Sequence, residues 1–134
     1  MTNLLDALLN ADANETREVF IKRLGTNVTV KEITIDQFNE AMDAAVSIVG
    51  KGKKAKQNVN KAKMGAVIVS HGIVDNPFTN AELMTKVGAM DPVECVEKTL
   101  KVGEIITLMS EILELSGFDD NGEVSDELIE EAKN

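Results

Sequence analysis

The chain has 134 residues, 23 acidic side chains against 14 basic ones, a formal charge of -9 and 43% apolar residues. That length and apolar content suit one domain whose core needs no metal or disulfide staple, and they exclude disorder throughout. With no Trp, no Tyr, four Phe and surplus carboxylates, the chain lacks base-stacking platforms and repels phosphate, which excludes sequence-independent DNA binding by the whole domain.

In chain order, residues 1–17 read as an amphipathic arm. Leu4, Leu5, Leu8 and Leu9 follow Thr2 and Asn3 in a helical stretch too short to be stable alone, so it must dock on its own domain or on a partner. The arm lacks the basic start and long apolar run of a secretory signal. Residues 18–33 read as a β-hairpin around Gly25-Thr26, with Val28, Val30 and Ile33 alternating imperfectly with polar neighbours.

Thr34 with Gln37 forms a capping-box pattern, and Ile35, Phe38, Met42, Ala45, Val46 and Val49 recur at helical steps, predicting a helix over 34–49 that Gly50 stops. Lysines 51, 53, 54, 56, 61 and 63, mixed with Gly, Asn and Gln, read as a flexible basic linker over 50–58 leading into a helix over 59–73. The run Ala66-Val67-Ile68-Val69 is also compatible with a strand.

Thr79 with Glu82 opens a helix over 79–87, closed by Gly88. Asp91-Pro92-Val93-Glu94 supplies a cap, a first-turn proline and a first-turn carboxylate for a helix over 92–101. The last helix, 104–116, carries Ile105, Leu108, Ile112 and Leu115 on one stripe and Ile106, Met109 and Leu113 on another. That arc is wider than one core face needs, so the helix is either central or meets a partner. Residues 119–134 read as an acidic, frayed tail. The predicted fold is α+β and mainly α-helical, with a small N-terminal β-hairpin followed by a bundle of about four to five helices, and residues 18–118 form the single main domain.

Candidate chemistry is thin. Cys95 cannot close an internal disulfide, and His71 and Cys95 are the only residues of their types, with no nucleophile motif around either. Cys95 reads as a small buried thiol, and His71, near a helix end, as a partner of terminal carbonyls. One Cys and one His cannot supply a structural zinc site. Residues 119–130 have the length and oxygen spacing of an EF-hand loop, but Val124 stands where the sharp turn needs Gly. The Gly50-Lys51-Gly52-Lys53 stretch lacks P-loop spacing. No stretch approaches the roughly 20 apolar residues of a membrane span. These features predict a cytosolic protein with no catalytic, cofactor or metal residues.

Several short pieces nevertheless occur in a specific order. They are Ile21-Lys22-Arg23-Leu24, Ile33-Thr34-Ile35-Asp36, Phe38-Asn39-Glu40, Val74-Asp75-Asn76-Pro77-Phe78 and Ala81-Glu82-Leu83-Met84 with Lys86 and Gly88-Ala89. Then come Asp91-Pro92-Val93-Glu94, Gly103-Glu104-Ile105 and Leu115-Ser116-Gly117-Phe118. In these the chain resembles, over about residues 20–118, the tail assembly chaperones of long-tailed bacteriophages, in particular the group of Gram-positive phages and Bacillus prophages. The resemblance implies a non-enzymatic helper in the host bacterial cytoplasm that binds the tape measure protein, helps recruit tail tube protein during tail morphogenesis and is absent from the mature virion. It also implies a possible homo-oligomer and a frameshift-extended form of the chain. The lysine-rich segment is more basic than that pattern leads one to expect.

A chaperone for a long helical client needs apolar surface ringed with like charge. The candidates are Ile105, Leu108, Met109 and Ile112, together with Leu4, Leu5 and Leu8; the competing reading, which each residue taken singly favours, is that all of them are core. A small acidic regulatory adaptor, or an antitoxin-like protein binding one folded partner, is the rival reading. No nucleic acid and no membrane is expected as a partner.

Overall fold

The chain, described over residues 3–11 and 15–118 in a computed structural model, is organised around one helix whose residues 65–70 are all buried. The described elements are α1 (Leu4–Asn10), β1 (Thr16–Ile21), β2 (Thr26–Lys31), α2 (Ile35–Ala45), β3 (Val46–Val49), β4 (Lys56–Val59) and α3 (Lys61–Gly72), then α4 (Ala81–Val87), α5 (Pro92–Thr99) and α6 (Val102–Leu115). Short 3-10 turns, Gly52–Lys54 and Pro77–Thr79, join β3 to β4 and α3 to α4. This is the mainly helical α+β fold expected, with an antiparallel hairpin ahead of the helices.

The buried helix is α3. A run of six consecutive buried residues cannot be one stripe of a surface helix and needs neighbours all round; α2, α5 and α6 supply them. Its Val-Ile-Val run is helical because burial outweighs a propensity difference of only tenths of a kcal/mol per residue. Gly65 and Gly72 lie seven residues apart, about two turns, and so share a face. A Cβ on Gly65 would fall 2.8 Å from Ile105 Cγ2, and one on Gly72 2.5 Å from Ile112 Cδ1. The two pairs ascend together, so α3 and α6 run parallel, with the missing side chains letting them approach.

β1 and β2 pair from Thr16↔Lys31 to Ile21↔Thr26. Val19, Ile21, Val28 and Val30 face the core, as period-two alternation requires. A bridge between Val30 and Ile73, and a hydrogen bond from the Val74 N–H to the Thr29 carbonyl at 2.9 Å, tie the hairpin to the exit of α3. α6 packs on both strands. Beyond the open end of the hairpin, Phe38 of α2 stacks on Phe118 with ring centroids 5.1 Å apart.

Local signals set most helix starts. Thr34 and Gln37 form the reciprocal capping box, and the Asp91 side chain accepts from the Glu94 N–H at 2.8 Å ahead of Pro92. Gly88, at φ +71, closes α4. One cap differs from expectation: Asn80, not Thr79, accepts from the Leu83 N–H, because Thr79 closes the preceding 3-10 turn begun by Pro77.

The larger correction concerns residues 46–59. The helix expected over 34–49 ends at Ala45, and the expected linker over 50–58 is largely a second antiparallel hairpin, paired from Val46↔Val59 to Val49↔Lys56. Val46, Ile48 and Val49 are β-branched and favour extended backbone. Gly50 at φ +96 and Gly52 at φ +62 then supply turn conformations that other residues rarely adopt. The Asn60 N–H donates to the Ala45 carbonyl at 2.9 Å and closes the base. Ile35, expected on the apolar stripe of α2, is exposed. The acidic tail over 119–134 and the loop over 119–130 lie outside the described residues.

Candidate partner-binding surface

α1 begins where the Asn3 side chain accepts from the Asp6 N–H at 2.9 Å. Seven residues are marginal as an isolated helix, yet none of them is buried. Leu4, Leu5, Leu8 and Leu9 are 74, 63, 64 and 74% exposed. They fall on one side because residues four apart stack on a helix. The result is an exposed leucine stripe, with Asp6 on the other side of the helix.

The second candidate cluster has the opposite placement. Ile105, Leu108, Met109 and Ile112 are 3, 1, 2 and 0% exposed and belong to the hydrophobic core. The wide apolar arc of α6 is covered by α3, by both strands of the first hairpin and by α5. Of the two alternatives open to those four residues the structure shows core, and a partner cannot reach them in this conformation. Leu4, Leu5 and Leu8 stay available, joined by Leu9.

A further surface was not apparent from sequence patterning. Phe20, Ile21, Lys22 and Arg23 at the end of β1 face Lys101, Gly103, Glu104 and Thr107 at the start of α6 across an open groove of about 780 Å³. Phe20, one of its lining residues, is 62% exposed. The signal in the sequence is the alternation itself: with Val19 and Ile21 turned inward, the intervening aromatic must face out.

The groove floor is braced. Arg23 Nε and Nη2 donate to Glu104 Oε2 and Oε1 at 2.9 and 2.7 Å, and Nη2 also donates to the Thr99 carbonyl at 3.0 Å. The Lys101 backbone N–H donates to Glu104 Oε1 at 2.8 Å. Hydrogen bonds from the Arg23 guanidinium, then from that N–H, hold the Glu104 carboxyl down to about 2. It is a fixed anion and not a proton donor near neutrality. A β-carbon on Gly103 would meet nothing within 4 Å, so the helix backbone is bare at this point.

The titratable residues considered for chemistry are accounted for structurally. His71 Nε2 lies 2.7 Å from Glu40 Oε2 and joins α3 to α2, in place of the terminal carbonyls expected. Cys95 is fully buried, and burial pushes its thiol up, away from the reactive thiolate. Among the described residues no group of three or more His, Cys, Asp or Glu side chains could hold a metal ion. No described helix is long and apolar enough to cross a membrane.

Comparison with known proteins adds a family. The model of the phage XkdN-like tail assembly chaperone proteins matches residues 5–133. The crystal structure of the protein yqbn is similar to this chain with a TM-score of 0.59 at 22% identity, covering 89% of this chain and 100% of that one; that likeness concerns the fold. No curated protein sequence matches the chain.

Proposed function

The chain belongs to the phage XkdN-like tail assembly chaperone family, and from that premise we propose that it binds the tape measure protein and helps recruit tail tube subunits, without catalysing a reaction. The observation that carries the reading is the leucine stripe of α1, exposed at 63–74% on a helix with no buried residue. Aliphatic surface of this kind is what a long helical client can fill. The surrounding negative charge, -9 over the chain, keeps the complex soluble. Such a helper acts in the host cytoplasm and leaves the finished tail.

Co-expression with the tape measure protein tests the reading. The unmodified chain is expected to keep that client in the soluble fraction and to co-purify with it in several copies. Leu5→Ser/Leu8→Ser, which removes exposed side chains only, is expected to stay folded and lose the client. If the doubly substituted chain solubilises the client equally well, α1 is not the contact. One-to-one capture of a compact partner instead would favour the adaptor reading.

A further inference from the structure

Charge is divided within the chain in a way that the proposed client surface does not use. Residues 51–63 hold six lysines and no acid, while residues 119–134 hold seven acids and only Lys133, so that +6 stands against -6. The lysines are not spread along a loose linker. Lys51, Lys53, Lys54 and Lys56 crowd the turn and second strand of the β3–β4 hairpin, and Lys61 opens α3 directly below it; all five are exposed. Lys63 pairs with Glu97 at 3.0 Å. None of the other five has an ion pair among the described residues. A turn that holds like charges together concentrates positive potential on an otherwise acidic protein.

We propose that the β3–β4 hairpin is a docking surface for an acidic peptide and that its occupant is residues 119–134 of the same chain. Reach permits it. Residue 118 is anchored beside Phe38 in the first turns of α2. From there to the hairpin turn the chain covers about 10 Å of helix and roughly 17 Å of strand, about 30 Å at most. Residues 119–134 span up to about 50 Å when extended. Tethering sets the effective concentration in the millimolar range, so individually weak pairs suffice. The remainder of the surface, being acidic, repels the same segment. Contacts of this type are screened by salt, which makes the association reversible.

Paramagnetic relaxation on the full chain tests this. With Asn134→Cys as the labelling site, Cys95 being buried, a spin label is expected to remove half or more of the amide signal intensity of residues 51–56 at about 0.02 M salt and to spare it at about 0.5 M. Lys51→Glu/Lys53→Glu/Lys54→Glu/Lys56→Glu is expected to abolish the broadening. Adding Asp126→Lys/Glu127→Lys/Glu130→Lys/Glu131→Lys is expected to restore it. The salt arm uses wild-type charges and stands whether or not the substituted chains fold. Three outcomes overturn the proposal: undiminished signals at residues 51–56, broadening centred elsewhere such as the Phe20 groove, or broadening transferred to a second, unlabelled copy in a mixed sample.

Discussion

Two clusters of large aliphatic side chains, one in α1 and one in α6, are made of nearly the same residues and end in opposite surroundings. Leu108 of α6 is 1% exposed and Leu8 of α1 is 64% exposed. Nothing in either side chain accounts for the difference. α6 follows a sharp turn after α5 and lands on α3 and the first hairpin, whereas α1 precedes β1 and has no buried residue. Apolar content measures how much surface a segment needs to hide; which partner hides it is a matter of placement.

The largest expected contrast comes from a charge. Met109→Glu places a carboxylate against Gly65 and the centre of the core, and more than about 4 kcal/mol of lost stability, enough to unfold the chain, should be seen by circular dichroism. Leu5→Glu should leave the spectrum and melting temperature unchanged. A folded Met109→Glu protein would mean that α6 is accessible after all. Leu108→Ala should then cost about 2–5 kcal/mol in urea unfolding, against less than about 0.5 kcal/mol for Leu8→Ala.

Glycines sharpen the same contrast at smaller magnitude. Gly72→Ala drives a methyl to within 2.5 Å of Ile112 and should destabilise by about 1–3 kcal/mol. Gly103→Ala enters open space in a helix and should stabilise by up to about 1 kcal/mol in the same assay.

The smallest effect concerns pH. Glu104 titrates in the fold at about 2, below its ordinary value of 4.5, so its ionised form stabilises the native state. That contribution is complete above about pH 4.5 and is lost as the pH falls toward 2. Glu104→Gln should flatten the decline in stability across that window, measured by urea unfolding at a series of pH values, with little change at neutrality.

The same division explains what could be read in advance. The Thr34–Gln37 box, the Asp91-Pro92 start and the Gly88 stop were legible because each is closed by hydrogen bonds or backbone geometry within four residues. The leucines of α1 were legible as a surface in need of a neighbour. The β3–β4 hairpin was hidden, since four-residue strands carry too few side chains to show a period and their pairing joins residues up to thirteen positions apart, Val46 with Val59. The Phe20 groove was hidden for the same reason: its two sides lie about eighty residues apart, with Arg23 bonded to Glu104.

The amino-acid sequence by itself determined the mainly helical composition, the positions of most helix ends, the lack of a recognisable catalytic constellation and the segregation of basic from acidic charge, all of which follow from short-range hydrogen bonding, backbone sterics and composition. Tertiary structure decided that Ile105, Leu108, Met109 and Ile112 are core while Leu4, Leu5, Leu8 and Leu9 face solvent. The physical reason is that burial belongs to a pair of surfaces, and the glycines at 65 and 72 that let α3 close on α6 gain their meaning only when the two helices are side by side.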